Sequence, residues 1–260
     1  MTKGFYTFLP NRAVVSASGP DAHAFLQSMI TQDLNQLGPA NPLLYSLLLT
    51  AQGKLHYDFF LWYQDGAIWI EAESARAEDL LGRLRMFTLR KNVTLDLIPV
   101  QVAVAWGTDE TPNGFIADPR NPKLGYRSLG APTGDLQAAD FENYDRLRID
   151  LTIPDGSRDI AWENDTVADL GLENLNAVSF SKGCYLGQEL TSRMHHRGLS
   201  KRGLYTVDIP GEAQRAFTDL LAGGNLIGDM RSSQGRRGLA ILRHDSLDLA
   251  PKAGLIPVTL

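Results

Sequence analysis

The sequence predicts an α+β protein in two parts: a mixed body over residues 1–200 and a small antiparallel β-barrel over residues 201–260. Three observations carry this reading. Between Leu43 and Trp106 strand candidates are interrupted by one amphipathic helix and then resume, an order that lays helices on one face of a sheet. After Lys201 the apolar runs become short and glycine-separated, at Gly203–Ile209, Asn225–Arg231, Arg237–Arg243 and Leu255–Thr259, which is the spacing of a small barrel. A chain of 260 residues is long enough to build one large unit, itself divisible into subdomains, and a small one.

The first helix signal is Ser18-Gly19-Pro20-Asp21, an N-cap with an early proline and an acidic residue, after which Phe25, Leu26, Met29 and Ile30 share one helical face. Gly38-Pro39-Ala40-Asn41-Pro42 ends that segment. Leu43–Thr50 is a continuous apolar run expected to be a buried strand, and Leu55–Tyr63 is an aromatic-rich second strand. Ala51-Gln52-Gly53-Lys54 forms the turn between them, and Asp65-Gly66 marks a hairpin into Ala67–Ala72. From Ser74 the period changes: Leu80, Leu81, Leu84 and Phe87 line one helical face, with Arg83, Arg85, Arg90 and Lys91 at its C-terminal end, where the dipole favours cations. Val93–Leu97 and Gln101–Trp106 read as strands, 108–135 as loop with short strands, and Phe141–Ile149 as a helix. Ile153-Pro154-Asp155-Gly156 is a turn.

Composition narrows the function. Hydrophobic residues make up 43% and charged residues 21%, the balance of an ordinary globular protein. The expectation is of no membrane partner, since no apolar run reaches eighteen residues, and of no signal peptide at Met1–Tyr6. A net charge of −5 argues against direct nucleic-acid binding. The lone Cys184 excludes an internal disulfide and a metal site built from several cysteines of one chain, and it suits a reducing compartment, here expected to be the cytoplasm.

The chemistry concentrates in Ser181–Arg202, which holds Cys184 and sets five cations (Lys182, Arg193, Arg197, Lys201, Arg202) against one carboxylate, Glu189. Such a patch attracts anions, with salt-dependent strength. Gly183 and Gly187 flank the cysteine and permit close backbone approach. Lys182, or a helix starting just after the loop, would favour the thiolate. Gln188 and Glu189 offer an amide and a carboxylate to a heterocycle.

Lys182-Gly183-Cys184-Tyr185-Leu186-Gly187-Gln188-Glu189, with Arg193 four residues on, resembles the KGCYxGQE signature of the YgfZ family of folate-binding proteins. The segment His195-His196-Arg197-Gly198 is similar to the branch of mitochondrial iron–sulfur assembly relatives. Phe25–Asp33, Gln52-Gly53-Lys54 followed by Asp58, and Glu173-Asn174-Leu175 resemble further elements of that family. The resemblance implies the architecture of glycine-cleavage T-proteins: a folate-binding region with a ferredoxin-like part around a central opening, plus a C-terminal β-barrel. It implies tetrahydrofolate or a one-carbon derivative as cofactor. It also implies iron–sulfur enzymes or assembly proteins as partners, and a supporting role in cluster assembly or repair centred on Cys184. The cofactor-binding set would be Lys182, Tyr185, Gln188, Glu189, Arg193 and Glu173. Lys182 and Arg193 would sit near the folate tail and Glu173 at the pterin edge, with no resident metal. Asp58 would lie beside the pterin, or on a solvent-facing side of its strand. The alternative function is a folate-dependent aminomethyltransferase with Asp58 as acid–base group, although Tyr57 stands where T-proteins have a second aspartate.

Overall fold

A computed structural model describes residues 4–64, 66–198 and 200–258. Asp65 of the expected hairpin, Met1–Lys3 and Thr259 of the last strand candidate lie outside the described residues. Three five-stranded sheets organise the described residues. The element order begins β1 (Phe5–Phe8), β2 (Arg12–Ser18), α1 (Ala22–Met29), β3 (Leu43–Leu49), β4 (Leu55–Gln64), β5 (Ala67–Glu73) and α2 (Ser74–Met86). It continues with β6 (Thr94–Ile98), β7 (Val102–Trp106), β8 (Ile116–Ala117), β9 (Tyr126–Leu129), β10 (Gln137–Ala138), α3 (Phe141–Asp150) and α4 (Gln188–Arg197). The last strands are β11 (Arg202–Asp208), β12 (Asp219–Ala222), β13 (Asn225–Gln234), β14 (Arg237–Arg243) and β15 (Ile256–Pro257).

The first sheet has order β3-β4-β5-β2-β6. Both of its faces are covered, which is why every residue of β3 is buried. Tyr57, Phe59 and Leu61 of β4 pack with Phe25, Leu26, Leu80 and Leu84 of α1 and α2. The alternate residues Phe60 and Trp62 pack on the other side with Tyr45, Tyr144, Ile153 and Leu172. A strand of period two sandwiched in this way reads as a continuous apolar run rather than an alternation. The second sheet, β10-β1-β7-β9-β8, stands on that other side.

The third sheet, β12-β13-β14-β11-β15, surrounds a core of Val207, Leu220, Ile227, Met230, Ala240 and Leu242. It is fastened to the body by buried charge. Arg231 of β13, 1% exposed, donates to the Asp159 carbonyl at 2.7 Å and to Asp165 at 2.9 Å. Arg148 of α3 donates to Ser232 at 2.7 Å, and Arg202 reaches Asp165 and Asp169 at 3.0 and 3.1 Å.

Candidate functional site: an open loop and a closed centre

The Cys184 loop is held from below and left open above. Its free thiol is exposed. Ser179 enters the loop by donating its N–H to the Thr31 carbonyl at 3.0 Å, and its hydroxyl accepts the Lys182 N–H at 3.2 Å. The Lys182 ammonium then donates to the carbonyls of Gln27, Ile30 and Gln32 at 2.8, 2.7 and 2.9 Å. These carbonyls lie at and just beyond the C-terminal end of α1, where helix geometry leaves acceptors without intrahelical partners and the dipole favours a cation. Burial pushes the Lys182 pKa down to about 8, opposed by the nearby Asp33 carboxylate. Lys182 is therefore an anchor of the loop, and its ammonium is directed at protein carbonyls rather than at a folate tail.

The C-terminal side of the loop is fixed by close packing. Gly187 has φ +80°, and a Cβ there would stand 2.3 Å from the Thr50 carbonyl oxygen. Gly53 has φ +75°, and its Cβ would meet Leu190 at 2.7 Å and the Gly187 carbonyl at 2.9 Å. Two glycines far apart in the chain thus let the β3–β4 turn and the cysteine loop touch backbone to backbone. At Gly183, by contrast, an added Cβ would meet nothing within 4 Å, so space alone does not demand glycine there. Tyr185 is buried, and burial pushes its phenol up to about 12. Gln188 folds back to accept the Tyr185 N–H at 3.1 Å.

The remaining expected ligand residues pair with the protein. Glu189 and Arg193 bond each other at 2.6 Å on the exposed face of α4. Glu173 pairs with His195 Nδ1 at 2.9 Å, and the His195 ring stacks on Phe180 with centroids 3.8 Å apart. Phe180 escapes a sequence reading because a lone aromatic between serines carries no periodic signal. Thr31 and Gln32 are visible within a family-like segment, but their hydrogen bonds to the carbonyls of Ala177 and Asn176, both 2.6 Å, are not.

Asp58 is not part of this loop. It points from β4 into the centre of the body, enclosed there rather than facing solvent. The Tyr45 hydroxyl donates to it at 3.1 Å. Burial raises its pKa above the ordinary carboxylate value, against the opposing pull of Arg12 and Arg120. Beside it, Glu71 accepts from Arg12 at 2.9 Å, from the Trp62 indole at 3.1 Å and from Arg127. Asp118 accepts from Arg120 at 2.8 and 3.0 Å and from Arg127 at 3.3 Å. Burial works to raise both carboxylates, but the guanidiniums around them lower their pKa values overall. The guanidiniums of Arg127 and Arg120 lie 3.9 and 4.8 Å from the centre of the Phe60 ring.

This centre does not fit a folate. The space left between Arg12, Asp58, Phe60, Arg120, Tyr144 and Asp155 is about 20 Å³, room for a single water. Small-molecule pockets run to roughly 300–1,000 Å³. The position that the resemblance gives to a pterin is filled by the chain's own side chains.

Comparison with known proteins places the chain. A model of the CAF17 C-terminal β-barrel domain matches residues 201–260. In solved structures, the glycine cleavage system aminomethyltransferase T of Bartonella henselae superposes with a TM-score of 0.72, covering 93% of this chain and 79% of that one at 14% identity. That likeness shows the fold: a T-protein-like body with a C-terminal β-barrel, as the sequence predicts. The mouse protein "Iron-sulfur cluster assembly factor IBA57, mitochondrial" is 31% identical over 277 residues, covering 92% of this chain and 77% of the relative. The chain belongs to the IBA57 family. The human IBA57 protein is 29% identical with the same coverage. A Pyricularia oryzae homologue is 32% identical over 77% of this chain, which spans 56% of that relative's length. The YgfZ-like signature is therefore a resemblance to a related family, and IBA57 is the family shown.

The expectation of a cytoplasmic protein is corrected by these relatives, because the mouse, human and fungal IBA57 proteins are mitochondrial by name. A single cysteine suits a reducing milieu and does not say which compartment the protein occupies.

Proposed function

We propose that this chain is an iron–sulfur cluster assembly factor that acts on partner iron–sulfur proteins through the Cys184 loop. The observation that carries the reading is an exposed thiol on a loop pinned at both ends: by the Lys182 ammonium on one side and the Gly187–Gly53 contact on the other. Membership of a family whose curated relatives bear the name of cluster assembly factors supports it. A thiolate is the ordinary ligand of cluster iron, and clusters commonly take four. Among the described residues no group of three or more His, Cys, Asp or Glu side chains could hold a metal ion. A cluster, as cargo, would thus be shared between Cys184 and the partner's ligands. The chain's own contribution is to present the sulfur in a fixed place and leave it accessible.

The experiment is complementation. In cells lacking the native protein, Cys184→Ser is expected to fail to restore iron–sulfur enzyme activity while accumulating to normal levels. Full restoration by that variant would remove Cys184 from the mechanism. Aminomethyl transfer with Asp58 as acid–base group is the weaker reading. Only the fold likeness favours it, and the packing around Asp58 leaves no place for its substrate.

A further inference from the structure

The centre of the body brings together an aromatic face, carboxylates and guanidiniums around a water-sized space. Arg127 is 2% exposed. Its planar guanidinium lies 3.9 Å from the centre of the Phe60 ring and donates along two edges, to Glu71 on one side and Asp118 on the other. A 2-aminopyrimidinone ring is recognised by the same devices: an aromatic face to stack on and a carboxylate that takes its paired N–H donors. Arg120 adds a second cation over the same Phe60 ring and over Tyr45, 5.6 Å from the latter's centre. Asp58, the residue that the resemblance sets beside a pterin, borders the same water-sized space.

We propose that this is a self-occupied ligand site: Arg127, seconded by Arg120, takes the place of a planar heterocycle, so the chain binds no folate and its work on clusters proceeds without one. Glu71 and Asp118 are then the carboxylates of an internal complex. Displacing Arg127 would leave Glu71 with Arg12 and Trp62 and Asp118 with Arg120, each carboxylate one buried guanidinium short. A folate would have to expel a guanidinium held by two carboxylates and an aromatic face in order to enter. It would offer the same interactions in return, with no gain to drive the exchange.

Titration calorimetry of the native chain with tetrahydrofolate is the first test. No saturable heat is expected up to about 1 mM ligand. Saturable binding in the micromolar range would overturn the proposal, and it needs no variant to do so. The second test asks whether the cavity has the inferred shape. Thermal melts of Arg127→Ala are run with methylguanidinium chloride against equal sodium chloride. The variant's melting temperature is expected to rise by several degrees and the native chain's not to rise. A variant that folds but is not stabilised would refute the inferred recognition.

Cluster delivery to a partner in a folate-free reconstitution separates this inference from the functional reading on which its last clause rests. Delivery by the native chain but not by Cys184→Ser supports both. Delivery that requires added tetrahydrofolate overturns the present inference alone. Equal delivery by native and Cys184→Ser chains overturns the functional reading alone.

Discussion

The centre around Glu71 and the loop around Cys184 use the same kinds of side chain to opposite ends. At the centre, three arginines and two carboxylates pair with one another in a buried setting. At the loop, charged groups anchor the base and the thiol is left outside. The difference lies in where the charges find partners. Side chains that end on each other close a space. A side chain that ends on backbone carbonyls, as Lys182 does, fixes a segment without covering what the segment presents. The exposed thiol thus lies at the edge of the fold, and Asp58, from the family-like segment, lies in the middle.

The contrast can be broken most severely at Glu71. Glu71→Gln leaves Arg12 and Arg127 short of a buried charge, and a loss of about 3–5 kcal/mol is expected in denaturant unfolding. A loss under about 1 kcal/mol would mean that the centre is wetter or looser than its hydrogen bonds indicate. Lys182→Met should instead act locally. The three carbonyls at the end of α1 lose an ionic donor, and amide exchange across Gly183–Gly187 is expected to accelerate about tenfold or more. Unchanged exchange would show that glycine packing alone positions the loop.

Asp58 sharpens the comparison through pH. Its folded-state pKa is raised, so the native state holds the proton more tightly than the unfolded state. Its contribution to stability consequently declines as pH rises from the unfolded value, near 3.8, through the folded one. Asp58→Asn retains an acceptor for Tyr45 and carries no charge to bury, so it is expected to be more stable than the native chain at pH 7. That advantage should vanish below pH ~4, where the aspartate is protonated in both states. Melting curves at the two pH values decide it, and a variant destabilised at pH 7 would indicate an ionised, well-compensated Asp58. The smallest effect belongs to the rim: Glu189→Ala removes an exposed pair with Arg193 and should cost under about 0.5 kcal/mol.

Much of the fold is legible in the sequence. The apolar run at Leu43–Leu49, the aromatic run from Leu55 and the period change at Ser74 each mark an element that forms where the pattern puts it. The short strands β1, β2 and β12 escape that reading, because seven residues or fewer with mixed polarity carry little periodic signal. For the site, the sequence singles out the loop but not its partners. Lys182, Arg193 and Glu173 read as ligand contacts because ligand-binding cations and carboxylates look the same as anchoring ones. Which of the two they are depends on carbonyls and side chains from residues as far away as Gln27 and Gln32. Asp58 admits a solvent-facing alternative because one strand's alternation cannot reveal that a second sheet and α3 cover its other side. Arg12, Arg120 and Arg127 give no signal at all: a buried arginine differs from an exposed one only through partners supplied by the fold.

The fastening of the barrel has a consequence for inheritance. Residues 201–260 match a family model of their own, which suggests a cassette that evolution could pass between proteins. Yet Arg231 reaches out of that cassette to Asp165, and Arg202 to Asp165 and Asp169. A barrel transplanted onto a body lacking those aspartates would leave the buried Arg231 with only Asp229 of its own strand as a carboxylate partner, and Arg202 with neither of its two. Exchange of the barrel without those carboxylates is therefore expected to cost stability, which ties substitutions at Asp165 and Asp169 to those at Arg202 and Arg231.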